Sequence, residues 1–466
     1  MTHRIFSFLE LAQHELLLFS SVFLLIGALN QLGTDIIWAA RRIYLQRIVY
    51  RSLPPLSARQ LPPPGDSGVL AVLVPAWGEA TVIGAMLDNC TRSWRDSTSA
   101  YRIYVGCYPN DPHCAAAVID AARSNMNIRL VLVDHDGPTT KADCLNRLWH
   151  ALLADEIAAG DTVKAIILHD AEDAVHGDEL HVFDCLISKG GAVQLPVIPV
   201  RTPRSRWISG HYCDEFAEAH GKNMVVRAAL GAALPLAGVA CAIERNLMGR
   251  LAQMNNGRPF DQNSLTEDYE LGIRIGSIGG RTIMARILDS QGGLVGTRAC
   301  FPDTLQASVR QKTRWLIGIA LAGWDRLGWQ GNIIQKWMLL QDRSSILSAI
   351  VLTAAYATIV LSALLAVAQT QGIYRTAPFS PMLRSLVWLN SAFLFWRLGV
   401  RAGFVAAVYG PKEALLSIPR SVISNIIAIM AARRATIAYV RHILGAPLTW
   451  DKTIHHTIPD TLVRRD

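Results

Sequence analysis

VKAIILHDAED, residues 163 to 173, is the stretch that decides the fold. Ala165 to Leu168 form a short, β-rich apolar run that reads as a buried strand. It empties directly into Asp170, Glu172 and Asp173. Ending a hydrophobic strand in three carboxylates is costly unless a cation is present. The spacing lets residues 170 and 172 share one face of an extended segment. Hard divalent ions such as Mg and Mn take oxygen ligands and hold diphosphates with few protein carboxylates. Asp170 and Glu172 are therefore candidate metal ligands, with Asp173 as the alternative second ligand. The plainer alternative is a cluster capping a helix N-terminus.

Outward from this strand the pattern repeats. Upstream lie the apolar run VLAVLVPAW (69–77), helical EATVIGAMLDNC (79–90), strand-like YRIYVGCYP (101–109), helical CAAAVIDAARS (114–124), strand-like IRLVLVD (128–134) and helical KADCLNRLWHALLADEI (141–157). Strand and helix alternate, which predicts an α/β domain with a mostly parallel sheet. Ligands of such sheets bind beyond the carboxyl ends of the strands. Pro75, Trp77 and Glu79 follow the first strand, and an aromatic with a carboxylate suits a nucleoside. Asn110 and Asp111 follow the second, where Asp111 reads either as a base or ribose ligand or as a turn residue before Pro112. Lys141 opens a helix after Gly137 and Pro138, where it can reach a phosphate or simply face solvent.

Downstream, TEDYELGIRI (266–275) sets Glu267 beside Asp268. Adjacent carboxylates repel, so they mark either a helix N-terminus or a base held for chemistry. QKTRW (311–315) puts Gln311 and the Arg314–Trp315 pair on one helical face. Arg314 offers a permanent charge and a fork for phosphate. Trp315 offers a flat apolar face for a pyranose ring, or else helps a helix dock on a membrane.

Composition adds a second theme. Of 466 residues, 51% are hydrophobic and only 18% charged, too apolar for an ordinary soluble enzyme. A bilayer core needs about 20 apolar residues as a helix. Residues 16–40, 344–369 and 385–408 qualify, the first interrupted by Asn30, Gln31 and Asp35 and the third by Arg397 and Arg401. The first run is too long for a signal peptide and lacks a cleavage site. Arg41, Arg42, Arg47 and Arg51 follow it, so that end is expected in the cytoplasm. The expected division is a transmembrane helix over 1–47, a cytoplasmic domain over 48–342 with a Pro-rich linker at its start, a transmembrane pair over 343–411, and an interface helix with a tail over 412–466. The last assignment rests on the largely apolar stretch Val422–Ala432 between Arg420 and Arg433, whose eleven residues span about half a bilayer core; a fourth span is its competitor. The net charge of +8 suits a protein on anionic lipid. The arginines lie near the membrane segments and not in one soluble patch, which argues against nucleic acid. Eight cysteines with irregular spacing and no CxxC read as free thiols in a reducing compartment. Asn30, Gln31 and Asp35 share one face of the first span, and Arg397 with Arg401 one face of the third. They read as the lining of a glycan path or as residues snorkelling to the interface.

In order, these motifs resemble the processive family 2 glycosyltransferases of the GT-A fold, such as cellulose and hyaluronan synthases. That family carries a nucleoside-site acid, a DxD, a TED and a QxxRW. Here they are Asp111, Asp170-Ala171-Glu172, Thr266-Glu267-Asp268 and Gln311 to Trp315. The loops HDAEDAVH, SGHYCDEFAEAHGK and LPLAGVACAIER and the tail PLTWDKTIHH look closest to its NfrB-type inner-membrane branch. The resemblance implies that Asp268, beside Glu267, is the general base. It implies that Asp170 and Glu172 hold Mg or Mn, that Pro75, Trp77, Glu79 and Asp111 surround uridine, and that Lys141, Gln311 and Arg314 hold the rest of the donor. Trp315 and Gly238 would meet the acceptor. The implied activity is inverting transfer from a UDP-sugar to a growing polysaccharide, coupled to export across a bacterial inner membrane. Its alternatives are a non-processive transferase making a lipid-linked sugar and a non-catalytic export scaffold or phage-receptor component. An outer-membrane export partner is implied, and control by cyclic-di-GMP would need a separate regulator. The family's DxD reads Asp-Ala-Glu-Asp here, and Leu236-Ala237-Gly238 departs from cellulose synthases, which leaves the sugar open.

Overall fold

The computed structural model describes residues 2–447 except 54, 67, 203 and 204. The chain opens with a 43-residue helix, α1 (Thr2–Tyr44), and the short α2 (Tyr50–Ser52). There follow β1 (Leu70–Pro75), α3 (Ile83–Ser93), β2 (Tyr101–Cys107), α4 (Pro112–Ser124), β3 (Ile128–Leu132), α5 (Lys141–Ala159) and β4 (Ala165–Leu168). Then come α6 (Glu179–Leu186), β5 (Ala192–Gln194), β6 (Val197–Val200), α7 (Ile208–Glu218), α8 (Met224–Ala229), β7 (Cys241–Glu244) and α9 (Arg245–Met254). The domain closes with α10 (Glu267–Ser277), β8 (Thr282–Met284), β9 (Thr297–Cys300), α11 (Leu305–Leu316), α12 (Ala322–Leu327) and α13 (Ile333–Arg343). Three long helices end the described chain: α14 (Ser345–Thr370), α15 (Pro381–Tyr409) and α16 (Pro411–Ile443).

Seven strands form one sheet in the order β3-β2-β1-β4-β7-β5-β8, and β6 pairs with β9 in a small second sheet. The pairs β1–β2, β1–β4 and β2–β3 are parallel. β7 runs antiparallel to both β4 and β5. Leu168 at the end of β4 therefore pairs with Cys241 at the start of β7, and the loop before β7 joins the ligand edge of the sheet. Side chains of β1 alternate between two cores. Leu70, Val72 and Val74 pack with Ile83, Met86 and Leu87 of α3 on one face. Ala71 and Leu73 pack with Leu145, Leu148, Trp149 and Leu152 of α5 on the other. Helices cover both faces, which explains why these strands read as continuous apolar runs.

Four helices are long and apolar enough to cross a membrane: residues 3–52, α14, α15 and α16. α1 packs along α14 and α15, and α15 along α16. Arg420, taken above as the edge of an apolar stretch, is fully buried within one continuous 33-residue helix. It pairs with Asp214 at 3.1 Å and with Glu413. The tail from 448 onward, including most of the motif PLTWDKTIHH, lies outside the described residues.

Of the polar side chains read as a glycan path or as snorkelling residues, Asn30, Asp35, Arg397 and Arg401 are held in polar contacts, while Gln31 Oε1 is buried without a hydrogen-bond partner. Lys222 Nζ reaches Asp35 Oδ1 at 2.5 Å and Glu218 Oε1 at 2.7 Å. Arg397 and Arg401 meet the two oxygens of Glu218 at 2.7 and 3.1 Å. Trp396 Nε1 donates to Asp35 Oδ2 at 2.8 Å. Asn30 accepts from Trp337 Nε1 at 2.6 Å. An isolated charge in this setting is expensive, and pairing removes that cost. These residues fasten the α/β domain to α1 and α15 instead of facing an open path.

Candidate active site

The carboxyl ends of β1 and β4, the loop before β7 and the N-terminus of α10 surround a cavity of about 610 Å³. Helix α11 supplies a further wall. Pro75, Trp77, Glu79, Lys141, Asp170, Glu172, Glu267, Asp268, Gln311, Arg314 and Trp315 all line it. The structure thus brings together residues up to 240 positions apart that the sequence singled out one motif at a time.

Helix α5 starts at Lys141 because Thr140 caps it, its hydroxyl accepting from Asp143 N at 3.2 Å. That start places Lys141 Nζ 2.5 Å from Asp170 Oδ1, 4.0 Å from Glu267 Oε1 and 3.3 Å from the Gly238 carbonyl, to which it donates. Burial works against its charge, but Asp170, Glu267 and Asp268 outweigh burial and hold the ammonium well above its ordinary range.

The two carboxylates of TED occupy the first turn of α10, where the helix dipole favours negative charge. They are a helix N-terminus and a candidate base at once. Burial above all, then the neighbouring Asp268, pushes Glu267 up to about 7 against the pull of Lys141. Burial likewise raises Asp268, with Lys141 and a hydrogen bond from Tyr269 N opposing. Asp268 Oδ1 accepts that bond at 2.7 Å. Its other oxygen lies over Gly238, where an added Cβ would sit 2.6 Å away. Gly238 has φ +74°, so both its backbone and its missing side chain are needed to let the carboxylate lie there. Gly238 touches the Asp268 carboxylate and forms a backing to it, and is not itself among the residues lining the cavity.

Of the two readings of Asp111, the structure shows the turn before Pro112. Its carboxylate caps α4, accepting from Cys114 N at 3.3 Å, and accepts from Gly78 N at 2.7 Å. It does not line the cavity. The residue before Pro112 is a cap, and it fixes the turn that carries Trp77. Asp173, the alternative metal ligand, is also otherwise engaged. It accepts from Asp170 N at 3.0 Å and from buried His169 at 2.9 Å. Asp170, paired with Lys141, and Glu172 both line the cavity. Among the described residues no three His, Cys, Asp or Glu side chains form a metal-holding group. An oxygen-only pair fits a hard divalent ion that fills its remaining positions with phosphate and water.

Several participants carried no sequence signal. Gln194, fully buried at the end of β5, donates through Nε2 to the carbonyls of Leu195, Val239 and Ala240 and accepts from Ala237 N. It secures the loop that presents Gly238. Tyr108 meets the Trp77 ring edge-to-face at 5.2 Å, and Gly137 packs against Trp77 so closely that an added Cβ would sit 2.6 Å from its ring. Trp315 meets Tyr212 at 6.3 Å and Phe216 at 6.5 Å, and both of those touch Phe301 at 4.8 Å. These aromatics are spread over three elements, so only folding assembles the group.

The fold, this cavity and the motif order can be compared with known proteins. A sequence profile described as "Glycosyltransferase like family 2" matches residues 64–318. The chain belongs to glycosyltransferase family 2. This glycosyltransferase is 34% identical over 458 residues to bacteriophage adsorption protein B of Escherichia coli K12. The same holds for bacteriophage N4 adsorption protein B of E. coli O157:H7. The match covers 93% of this chain and 61% of each relative, so the chain spans about three fifths of their length. Among solved structures, a mannosyltransferase from Pyrobaculum calidifontis in complex with GDP-Man and Mn2+ superposes with a TM-score of 0.51 at 18% identity. That superposition covers 90% of this chain and 99% of the other, and supports the GT-A fold.

Proposed function

We propose that this glycosyltransferase is an inverting enzyme of a bacterial inner membrane. It transfers a sugar from a UDP-sugar to a growing polysaccharide and exports the product. One observation carries the reading: Asp268, with its pKa raised by burial, lies in the same cavity as Lys141, Asp170 and the Trp315 aromatic group. The uracil ring stacks near Trp77, and the diphosphate runs toward Lys141 and Arg314. Asp170 and Glu172 would hold Mg or Mn, which supplies neutralising charge to the diphosphate when bound. Asp268 takes the proton from an acceptor hydroxyl held on Trp315. The freed oxygen attacks the anomeric carbon as the bond to UDP breaks on the opposite face, and UDP departs with the electron pair. The buried, preorganised Lys141 and Arg314 stabilise that developing charge.

The α/β domain is cytoplasmic in this reading, because Arg41 and Arg42 end α1 and Arg47 and Arg51 follow it. α16 lies in the interface. Its contacts at Arg420, Ala431 and Tyr439 reach Asp214, Thr313 and Asp325 of the domain. A spanning helix would leave the domain behind after one end. The test is nucleotide release by the full chain in detergent, with Mn or Mg, across a panel of UDP- and GDP-sugars. Turnover with one UDP-sugar, lost in Asp268→Asn, is expected. Turnover only with a GDP-sugar would overturn the donor class, and unchanged turnover in the variant would overturn the base.

A further inference from the structure

Helix α16 carries no carboxylate after Glu413, yet Arg433, Arg434 and Arg441 follow within its last eleven residues. Met430, Ile437, Val440 and Ile443 are exposed between and beside them. The opposite face is closed against α11, where Ile427 and Ala431 bury against Val309. Between these helices runs a second cavity of about 560 Å³, separate from the active site. Val309, Met430, Ile437 and Ala438 form its apolar floor, and Arg433, Arg434 and Arg441 its rim. Among the described residues no carboxylate pairs with Arg433 or Arg441.

We infer that this groove binds the headgroup and upper acyl chain of an acidic phospholipid. The groove joins charge complementarity to apolar shape. Guanidiniums fork onto phosphate oxygens, and a helix with exposed apolar residues among arginines lies at the depth where phosphates and acyl chains meet. A soluble anion would use the rim and leave the floor of the groove exposed. A zwitterionic lipid would fill the floor but would bring its own cation to the arginines. The occupant also touches Val309, two residues before Gln311 on the helix that bears Arg314 and Trp315. The lipid therefore braces the active-site wall from outside. The inference is compatible with the proposed chemistry, but its test reads no turnover.

The full chain is purified in detergent, and its thermal unfolding is followed with added phosphatidylglycerol or phosphatidylcholine. Lipids retained in native mass spectra are counted in parallel. Phosphatidylglycerol is expected to raise Tm more than phosphatidylcholine, with the difference screened by salt. Taking about 1 kcal/mol per arginine near an acidic surface, Arg433→Gln with Arg441→Gln lowers the preference for the acidic lipid roughly 30-fold. That double variant keeps its Tm in phosphatidylcholine and loses one retained acidic lipid. Arg250→Gln, on α9 away from the groove, changes neither. If the double variant does not fold, Arg441→Gln alone and the salt titration of the unaltered chain give the same reading. An undiminished preference in the variants overturns the site. An equal stabilisation by inorganic phosphate alone overturns the lipid as its occupant.

Discussion

Gly238→Ala tests the geometry of the base most directly. The new methyl would sit 2.6 Å from Asp268 Oδ2 and 3.2 Å from its Cβ and Cγ. Ordinary contact begins near 3.4 Å, so the carboxylate must retreat by 0.8 Å, the difference of those values. A misplacement near 1 Å costs on the order of 100-fold in rate. The substitution also places Ala at φ +74°, which costs about 1–2 kcal/mol. Gly160→Ala separates the two effects. Gly160 has φ +64° at the end of α5, with nothing within 4 Å of its added Cβ. Both variants should lose similar stability, by about 2–4 °C in Tm per kcal/mol. Only Gly238→Ala should lose kcat by about 100-fold, with the donor KM little changed. The assay is nucleotide release at saturating donor beside thermal unfolding. Equal activities of the two variants would refute the claim that Gly238 exists to admit Asp268.

Other outcomes follow from the same geometry. Glu267 is raised to about 7 in the fold, so the folded chain holds a proton that the unfolded chain releases near its ordinary value. Stability from this group is full below that ordinary value and is lost as pH rises toward 7. Glu267→Gln should therefore raise Tm at pH 8, with the gain shrinking to nothing as pH falls below the ordinary value of 4.5; a uniform gain across pH would contradict it. Removing Glu218, buried beside Lys222, Arg397 and Arg401, leaves cations without their anion, and Glu218→Gln should cost about 3–5 kcal/mol in denaturant unfolding. Asp111→Ala should cost about 1 kcal/mol as a lost helix cap, with less than a threefold rise in donor KM; a tenfold rise would restore it to the nucleoside site. Chelation should abolish nucleotide release, with recovery on adding Mn or Mg. Activity that persists in chelator would dismiss Asp170 and Glu172 as ligands.

The alternation of strands and helices was legible because strands covered on both faces are continuous apolar runs, and Ala165–Leu168 is one. The site was legible where chemistry is concentrated in a few adjacent residues, as in Asp170–Glu172, Glu267–Asp268 and Gln311–Trp315. It was illegible where a residue type serves two ends equally well. Asp111 before Pro112 fits a nucleoside ligand and a helix cap alike, and only the fold brings Cys114 N to it at 3.3 Å and Gly78 N at 2.7 Å. Gln194 was invisible because a lone Gln in a short strand announces nothing. Its value comes from three carbonyls and an amide that other segments bring to it. Arg420 looked like a boundary because its partner Asp214 depends on how α16 meets α7. The polar residues of α1 and α15 read as a glycan path or as snorkelling side chains because sequence could not supply Glu218 and Lys222 as their counterions.

That last cluster has a practical consequence for anyone wishing to work with the catalytic portion in isolation. Scissors placed at the apparent edges, near residues 52 and 342, would remove Asp35, Trp396, Arg397 and Arg401 together. Glu218 and Lys222 would remain, sealed in each other's company on a surface shaped for lipid-side helices, while Ile317 and Val309 would lose the cover of α16. The fragment would keep every side chain of the active-site cavity and lose the mount that holds it upright. Expression of a clipped version should therefore yield aggregates, and the enzyme is best handled whole, in detergent or in a lipid disc.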